Sequence, residues 1–588
     1  MKESMTKGGA KKLLGGSMLL SAAAVISKLI GMFYKIPLIK YVGLEGMAYF
    51  LAANHIYIFL FVISTSGLPV AVSIMVAEAT VMGERQGADS VFKAALRIFL
   101  IIGGIGSIIM LVAASPIAEI IAIGGAARSI AAISPAILLA CVSGAFRGYF
   151  QGRGIMHHTA VSQVIESVGK LVLGLAGAIY ALGCGFKSET VAAFAIAGIT
   201  AGVAIATLYL AVAKKVFDAR EDKRVPGARQ NAPQSEPQSM SHGASRKVPK
   251  NEPLDAPRVM QNTRPKSAKT SISRGVTKRL ISIALPITLS SALLSISGLI
   301  DTSLIANCLG AAGFSESMIN KLYSSYGNIA MPLFSLTPTL ITPVAMAAVP
   351  LVSGAYKSGD IAGVEKIGNS AIRLTLLASI PAAAGLSAFS GQIISLIFPK
   401  VIEGGMIATP LLSILAVAII PTCLINTTNA LLQACGRSGV TIISMSAGAS
   451  VKLLLELLLL RLPEVNIAGA PISTFACGVT VLCFNICFLS KILPGLSAGN
   501  VIATSVSALA AVGGAVAVWM FSGGIDHHII RMSLSIGTAV LLYVILALVT
   551  RAIDSDILNM LPGGEKLAAR LGVSKKGRAH ERHASGQL

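Results

Sequence analysis

The sequence predicts an all-α polytopic membrane protein of about fourteen transmembrane helices, and three observations predict it. Of its 588 residues, 54% are hydrophobic and only 13% charged, about half the charge of a typical soluble domain. Mean hydropathy is +0.76. Apolar runs such as those at 191–212, 501–521 and 532–549 recur along the chain, each long enough for a bilayer core of about 30 Å at about 1.5 Å per residue. Together these exclude a soluble enzyme and a single anchor on a soluble domain. They also exclude a porin-type barrel, whose strands would alternate every second residue.

The first apolar stretch, 15–39, is too long for the apolar part of a cleavable signal, and no small-residue cleavage site with a soluble domain follows it. It reads as the first helix. Further spans follow at 45–82, 90–114, 129–151, 158–183 and 190–214, then at 279–306, 318–353, 367–390, 406–434, 438–461, 467–490, 499–522 and 529–550. The second and eighth exceed a simple crossing and contain breakers: Gly67-Leu68-Pro69 in one, Pro338 and Pro343 in the other. Gly67, Pro69 and Pro343 are therefore candidate hinges. A membrane tolerates such breaks where protein or a water-filled cavity covers the freed backbone.

Residues 215–278 are the one long polar insert, rich in Pro, Ser, Gln, Lys and Arg. Such a stretch buries too little apolar surface to offset its ordering entropy, so it reads as a disordered basic cytoplasmic linker. It separates an N-terminal lobe, 1–214, from a C-terminal lobe, 279–490. A further helix pair, 491–550, and a basic tail, 551–588, complete the chain.

The net charge of +22 could signal nucleic acid, but its distribution signals topology. Arg85, Lys93, Arg97, Arg147, Arg153, Lys357, Lys366, Arg373, Arg437 and Lys491 all fall on one set of loops, together with the linker and both termini. The opposite loops carry fewer bases, balanced by acids such as Glu45, Glu189, Glu316 and Glu403. Basic residues hold loops in the cytoplasm. The expectation is a plasma-membrane protein with both termini cytoplasmic, membrane lipids around it, no nucleic-acid partner, and a monomeric state.

The halves resemble each other. Gln151 precedes Lys170 by the same interval at which Gln433 precedes Lys452, and Leu68-Pro69-Val70-Ala71 corresponds to Thr342-Pro343-Val344-Ala345. Six helices per half keep both halves in the same sense through the membrane. Two parallel six-helix lobes with a cavity between them follow, as in transporters built from parallel repeats.

Eight charges lie within the spans, away from loop ends: Lys28, Lys35, Lys170, Lys452, Glu78, Glu166, Asp301 and Glu456. Each costs about 2.5–3.5 kcal/mol at a bilayer centre unless a cavity or a partner compensates it. Glu166 with Lys170, and Lys452 with Glu456, are spaced to neutralise each other on one helix face. Lys28 and Lys35 share a face of the first helix, and neither has an acid within four residues. Two such cations on a cavity would attract phosphate, which sets the expected substrate as an anionic amphiphile. Glu78 and Asp301 are the unpaired carboxylates that a cation-coupled drug exporter would want. His55 reads as a cavity or packing residue. No catalytic constellation or P-loop is present, and most cysteines, Cys483 and Cys487 among them, read as small buried hydrophobes. No metal site and no cofactor are expected; membrane potential, Na+ or H+ could drive the cycle.

The strings Ser27-Lys28-Leu29-Ile30-Gly31, Gly67-Leu68-Pro69-Val70-Ala71-Val72-Ser73, Ala77-Glu78-Ala79, Phe146-Arg147-Gly148-Tyr149-Phe150-Gln151-Gly152 and Ser162-Gln163-Val164-Ile165-Glu166 resemble those of the stage V sporulation protein B family. That family is similar to the MurJ lipid II flippases of the multidrug/oligosaccharidyl-lipid/polysaccharide exporter superfamily. The resemblance implies a bacterial flippase of a lipid-linked peptidoglycan precursor, working by alternating access, with spore cortex synthesis as a context. Another lipid-linked polysaccharide unit and a multidrug substrate are the alternatives. By resemblance Lys28 matches a cavity-lining base. Lys35 stands beside Tyr34, which occupies the position of a second one. The bases those flippases carry near the second helix are absent here. The last two helices resemble an added pair bordering a lipid-tail groove. The candidate substrate-contacting set is Lys28, Lys35, Glu78, Arg147, Gln151, Glu166, Lys170, Asp301 and Lys452.

Overall fold

A segment crossing lipid must satisfy its backbone within itself, and apolar runs of this length do so as helices. The computed structural model describes residues 23, 25–27, 29–31, 33–82, 85–224, 269–495, 501–522 and 528–550, and these are helical with no strand among them. The first lobe holds α1 (Lys35–Thr65), α2 (Leu68–Val81), α3 (Arg85–Val112), a short α4 (Ala114–Ile120), α5 (Ala127–Gly152), α6 (Met156–Gly183) and α7 (Ser188–Arg224). The second holds α8 (Lys269–Ala311), α9 (Glu316–Ser324), α10 (Met331–Lys357), α11 (Ile361–Ala388), a short α12 (Ser390–Ile397), α13 (Ile402–Ala434), α14 (Ser438–Leu459) and α15 (Gly469–Ile492). The last pair is α16 (Val501–Phe521) and α17 (His528–Val549), with α16 packed on α11 and Tyr543 Oη donating to Leu377 O at 2.7 Å.

Among the described residues, ten helical stretches are long and apolar enough to span a membrane, and two shorter apolar ones lie at 298–311 and 533–547. Their outer surface is built for lipid. On α3, Ile101, Ile105, Ile108 and Val112 form one exposed stripe at helical spacing. The inward faces are narrow. Gly144, Gly148 and Gly152 follow one another every turn of α5 and seat α2: a Cβ on Gly148 would lie 2.6 Å from Pro69 O, and one on Gly152 2.6 Å from Ser73 O. Small residues at this interval let backbones touch, which is how helices gain packing energy in a solvent as apolar as themselves.

The predicted break at Gly67 is present: Ser66 and Gly67 separate α1 from α2, whose first turn carries Pro69. A Cβ on Gly67 would collide with Ala284 O of α8, so this bend also sets a contact between lobes. A second break lies at Gly43, where φ 76° and ψ 170° turn the chain inside α1. The predicted break at Pro338 and Pro343 is not present. Helix α10 runs through both, while hydroxyls of Thr339 and Thr342 bond Ser335 O and Pro338 O of the preceding turn. The irregularity sits upstream instead, in a π-helical turn at Ser325–Ala330.

The predicted linker is also shorter than 215–278, because α7 continues to Arg224 and α8 begins at Lys269. Ion pairs hold the α7 extension: Arg153 Nη2 lies 3.3 Å from Glu221 Oε2, and Lys214 Nζ lies 3.3 Å from Asp89 Oδ1 and 2.8 Å from Asp218 Oδ2. Residues 225–268 lie outside the described residues. Cys483 and Cys487 are exposed on α15 rather than buried. At the opposite ends of the helices, Lys321 meets Glu403 at 2.8 Å, and that hydrogen bond holds the ammonium above the usual lysine range.

Candidate functional site

Between the lobes lies a cavity of about 350 Å³, walled by the first-helix residues Leu29 and Gly31, by Lys35 and His55 of α1, and by Ser335 and Thr339 of α10. The π-helical turn shapes its floor. Such turns interrupt the regular bonding ladder and recur at functional sites. Here Gly327 presses against Leu51, and its carbonyl accepts from Lys35 Nζ at 3.2 Å. Among the described residues no carboxylate lies within ion-pair distance of Lys35.

Lys170 on α6 stands behind that wall, against Gly31. Its Nζ faces Gly31, 3.5 Å from where a Cβ would stand, and it is close enough to act electrostatically on Lys35. Glu166 does not form the ion pair with Lys170 that the sequence spacing suggested. It is held instead by Arg147 of α5, with Nη2 2.8 Å from Oε2, while Arg147 Nε donates to Ser162 Oγ at 3.0 Å. A cross-helix guanidinium forms a more directional bond to a carboxylate than a lysine one turn away. Ser27 Oγ donates to Gln163 O at 3.2 Å and ties the first helix to α6.

The other candidates sit elsewhere. Lys28 lies outside the described residues, as does the side chain of Pro343. Gln151 is half-buried near the end of α5 and does not line the cavity. Glu78 is not unpaired: it is half-buried and meets Arg279 of α8 at 2.8 Å, at the end of the lobes where Gly67 touches Ala284. Asp301 is not unpaired either, because Lys452 Nζ lies 2.5 Å from its Oδ1. Lys452 and Glu456 do meet on one face, at 3.8 Å.

Lys170 and Lys452 thus hold matching places in the repeat but opposite roles. Among the described residues the first-lobe lysine forms no ion pair, whereas the second lobe balances its lysine against two acids. Beyond the other end of the cavity, α1 grips the second lobe. Ser317 Oγ donates to Glu45, and Asn328 Nδ2 donates to Met47 O at 2.9 Å.

The reading of His55 as a cavity or packing residue holds. Its Nδ1 lies 2.7 Å from Thr302 Oγ1 and 3.2 Å from Tyr323 Oη, so it joins the lobes as well as lining the cavity. The available signal was the polar Asn54-His55 pair inside an apolar helix. Ser335 and Thr339, one turn apart on α10, carried a similar signal.

Known proteins share this architecture. Residues 13–239 match the family model described as polysaccharide biosynthesis protein. Stage V sporulation protein B of Bacillus subtilis (strain 168) is 25% identical over 557 residues, covering 93% of this chain and 97% of the relative. Lipid II flippase MurJ of the same organism is 24% identical over 480 residues, covering 79% and 80%. Among solved structures, lipid II flippase MurJ in an inward closed conformation superposes with a TM-score of 0.63 at 14% identity, over 90% of this chain and 98% of that one. An inward-facing multidrug resistance MATE family transporter of the MOP superfamily reaches 0.56 at 17% identity, over 80% and 98%. The resemblance carried by the first-half motifs is borne out, and so is the helical two-lobe fold.

Proposed function

We propose that this chain, a relative of stage V sporulation protein B and the MurJ-like flippases, moves an anionic lipid-linked cell-wall precursor across the bacterial cytoplasmic membrane by alternating access. The observation that carries the reading is Lys35. It lines the inter-lobe cavity, has Lys170 behind the neighbouring Gly31, and has a backbone carbonyl rather than a carboxylate as its partner. An ammonium in such a place gains from a substrate anion. Two unit charges about 4 Å apart attract by about 4 kcal/mol at an effective dielectric of about 20. In this mechanism the phosphate joining lipid to glycan docks on Lys35, with Lys170 adding its charge from behind Gly31. Arg147, Glu166 and Gln151 support that wall rather than touch the substrate.

Alternating access then follows from the two sets of contacts that flank the cavity. The Glu78–Arg279 pair parts to admit substrate while the α1–α9 grip holds, and the order reverses for release. The Lys/Arg distribution supports a cytoplasmic position for the Glu78–Arg279 end and for both termini. The precursor of a spore's wall layer is the favoured cargo, because a relative that covers 93% of this chain is a sporulation protein. A cation-coupled drug exporter would need free acids in the cavity, and both candidates for that role are paired with bases.

The test is reconstitution into liposomes with three labelled cargoes: a lipid-linked muropeptide, a lipid-linked polysaccharide unit and a cationic dye. Transfer of the first alone supports the reading. Transfer of the dye alone overturns it.

A further inference from the structure

The second lobe buries three ionisable groups together, behind the cavity. Asp301 comes from α8; Lys452 and Glu456 stand one turn apart on α14. Glu456 is 0% exposed, and Asp301 and Lys452 are 7% exposed each. Lys452 Nζ lies 2.5 Å from Asp301 Oδ1 and 3.8 Å from Glu456 Oε1, and Ser473 Oγ of α15 donates to Glu456 Oε1 at 3.1 Å. Glu456 Oε2 has no donor among the described residues, and the Asp301 and Glu456 carboxyls both close on Lys452 Nζ. Ionised carboxylates offer each other acceptors only. Two of them gathered on one ammonium are favourable when one carries a hydrogen.

Charge counting leads to the same place. Two carboxylates against one ammonium leave one negative charge in excess, and an uncompensated charge in a buried site is removed by protonation. The other ionisable groups that face the cluster are Tyr326 of the π-helical turn, Cys477 of α15 and His55 of α1. Lys35 acts on His55 from the cavity side. None of them stands between the two acids, the position Lys452 fills.

We propose that Asp301, Lys452 and Glu456 form a proton-binding site in which Lys452 is a built-in cation and Glu456 holds the exchangeable proton. Binding forms one O–H bond at Glu456 Oε2 and returns one water from hydronium; release reverses it. The proton comes from the cavity by way of His55, which lines the cavity and bonds Thr302, the neighbour of Asp301. The ammonium occupies the place that a metal cation would need between the carboxylates, so the site answers to pH and not to Na+. Occupancy of the site stands apart from what the protein carries; only the coupling of the proton to lobe movement rests on the flippase reading.

The experiment is infrared spectroscopy of the full chain in lipid nanodiscs, following the C=O stretch of a protonated carboxyl. Wild type should show a band that Glu456→Gln removes. Asp301→Asn should also remove it, since a single acid then balances Lys452 and ionises. Exchanging K+ for Na+ should leave the band in place, and raising pH should bleach it in the wild type without any substitution. Absence of a Glu456-dependent band overturns the proposal. So does its survival in Asp301→Asn, or its loss on adding Na+. A band that behaves as described in a protein that moves no lipid-linked precursor leaves the proton site standing and removes the flippase reading instead.

Discussion

Replacing Lys35 separates two roles that one atom plays. Its Nζ bonds Gly327 O at 3.2 Å across the lobes, and it presents positive charge to the cavity. Lys35→Met removes both. Lys35→Gln keeps a neutral donor for Gly327 and removes the charge. A hydrogen bond to a charged group contributes about 1.5–3 kcal/mol, and about 1.4 kcal/mol is tenfold in affinity. Both variants should therefore bind and transfer an anionic lipid about 10- to 100-fold more weakly. The neutral bond to Gly327 contributes about 1 kcal/mol, so Lys35→Met should fall about fivefold below Lys35→Gln. Lys35→Arg should retain much of the activity, with altered bonding geometry. The assay is transfer of labelled precursor in liposomes at matched protein levels. If Lys35→Gln equals wild type while Lys35→Met fails, Lys35 is an inter-lobe latch and the anion site is refuted.

Three further outcomes follow from the packing. Gly148→Val should lower thermal stability by about 1–3 kcal/mol through overpacking, because its side chain would meet Pro69 O and Val72. Gly104→Ala, where nothing lies within 4 Å of a Cβ, should be neutral or stabilising. Arg147→Met and Glu166→Gln should each cost more than half of what the double variant costs, with a coupling of about 0.5–3 kcal/mol in a double-mutant cycle; additive losses would mean that the 2.8 Å pair contributes nothing. In a background lacking other cysteines, the exposed Cys184 between α6 and α7 should react with a membrane-impermeant thiol reagent from outside intact cells. Labelling only after permeabilisation would invert the orientation.

The helical architecture was legible because hydrophobic length alone distinguishes a membrane span, and the Gly67 break was legible because glycine and proline coincide there. The repeat of Gln and Lys at equal intervals pointed correctly to two lobes. What could not be read was pairing between helices. Spacing reveals neighbours on one helix, so Lys170 looked like the partner of Glu166, whereas Arg147 reaches it from α5. Glu78 and Asp301 looked free for the same reason, since Arg279 and Lys452 are each far away in sequence. The string around Arg147-Gly148 resembled a substrate motif, but its glycines seat α2, and its arginine neutralises an acid. The π-helical turn at Ser325–Ala330 had no sequence signature, as Pro338 and Pro343 drew attention to the wrong end of that helix. The charge that remains on the cavity after these pairings is what the sequence placed there from the start, with Lys35 the member seen in the structure.

The most direct test of that account is where the precursor goes. A bacterial strain depleted of its own precursor flippases accumulates lipid-linked muropeptide on the inner face. Expression of this chain should restore the fraction that an external, membrane-impermeant enzyme can cleave, and expression of Lys35→Met at equal abundance should not. If the precursor stays inaccessible while wild-type protein is abundant and folded in the membrane, the flippase account is contradicted.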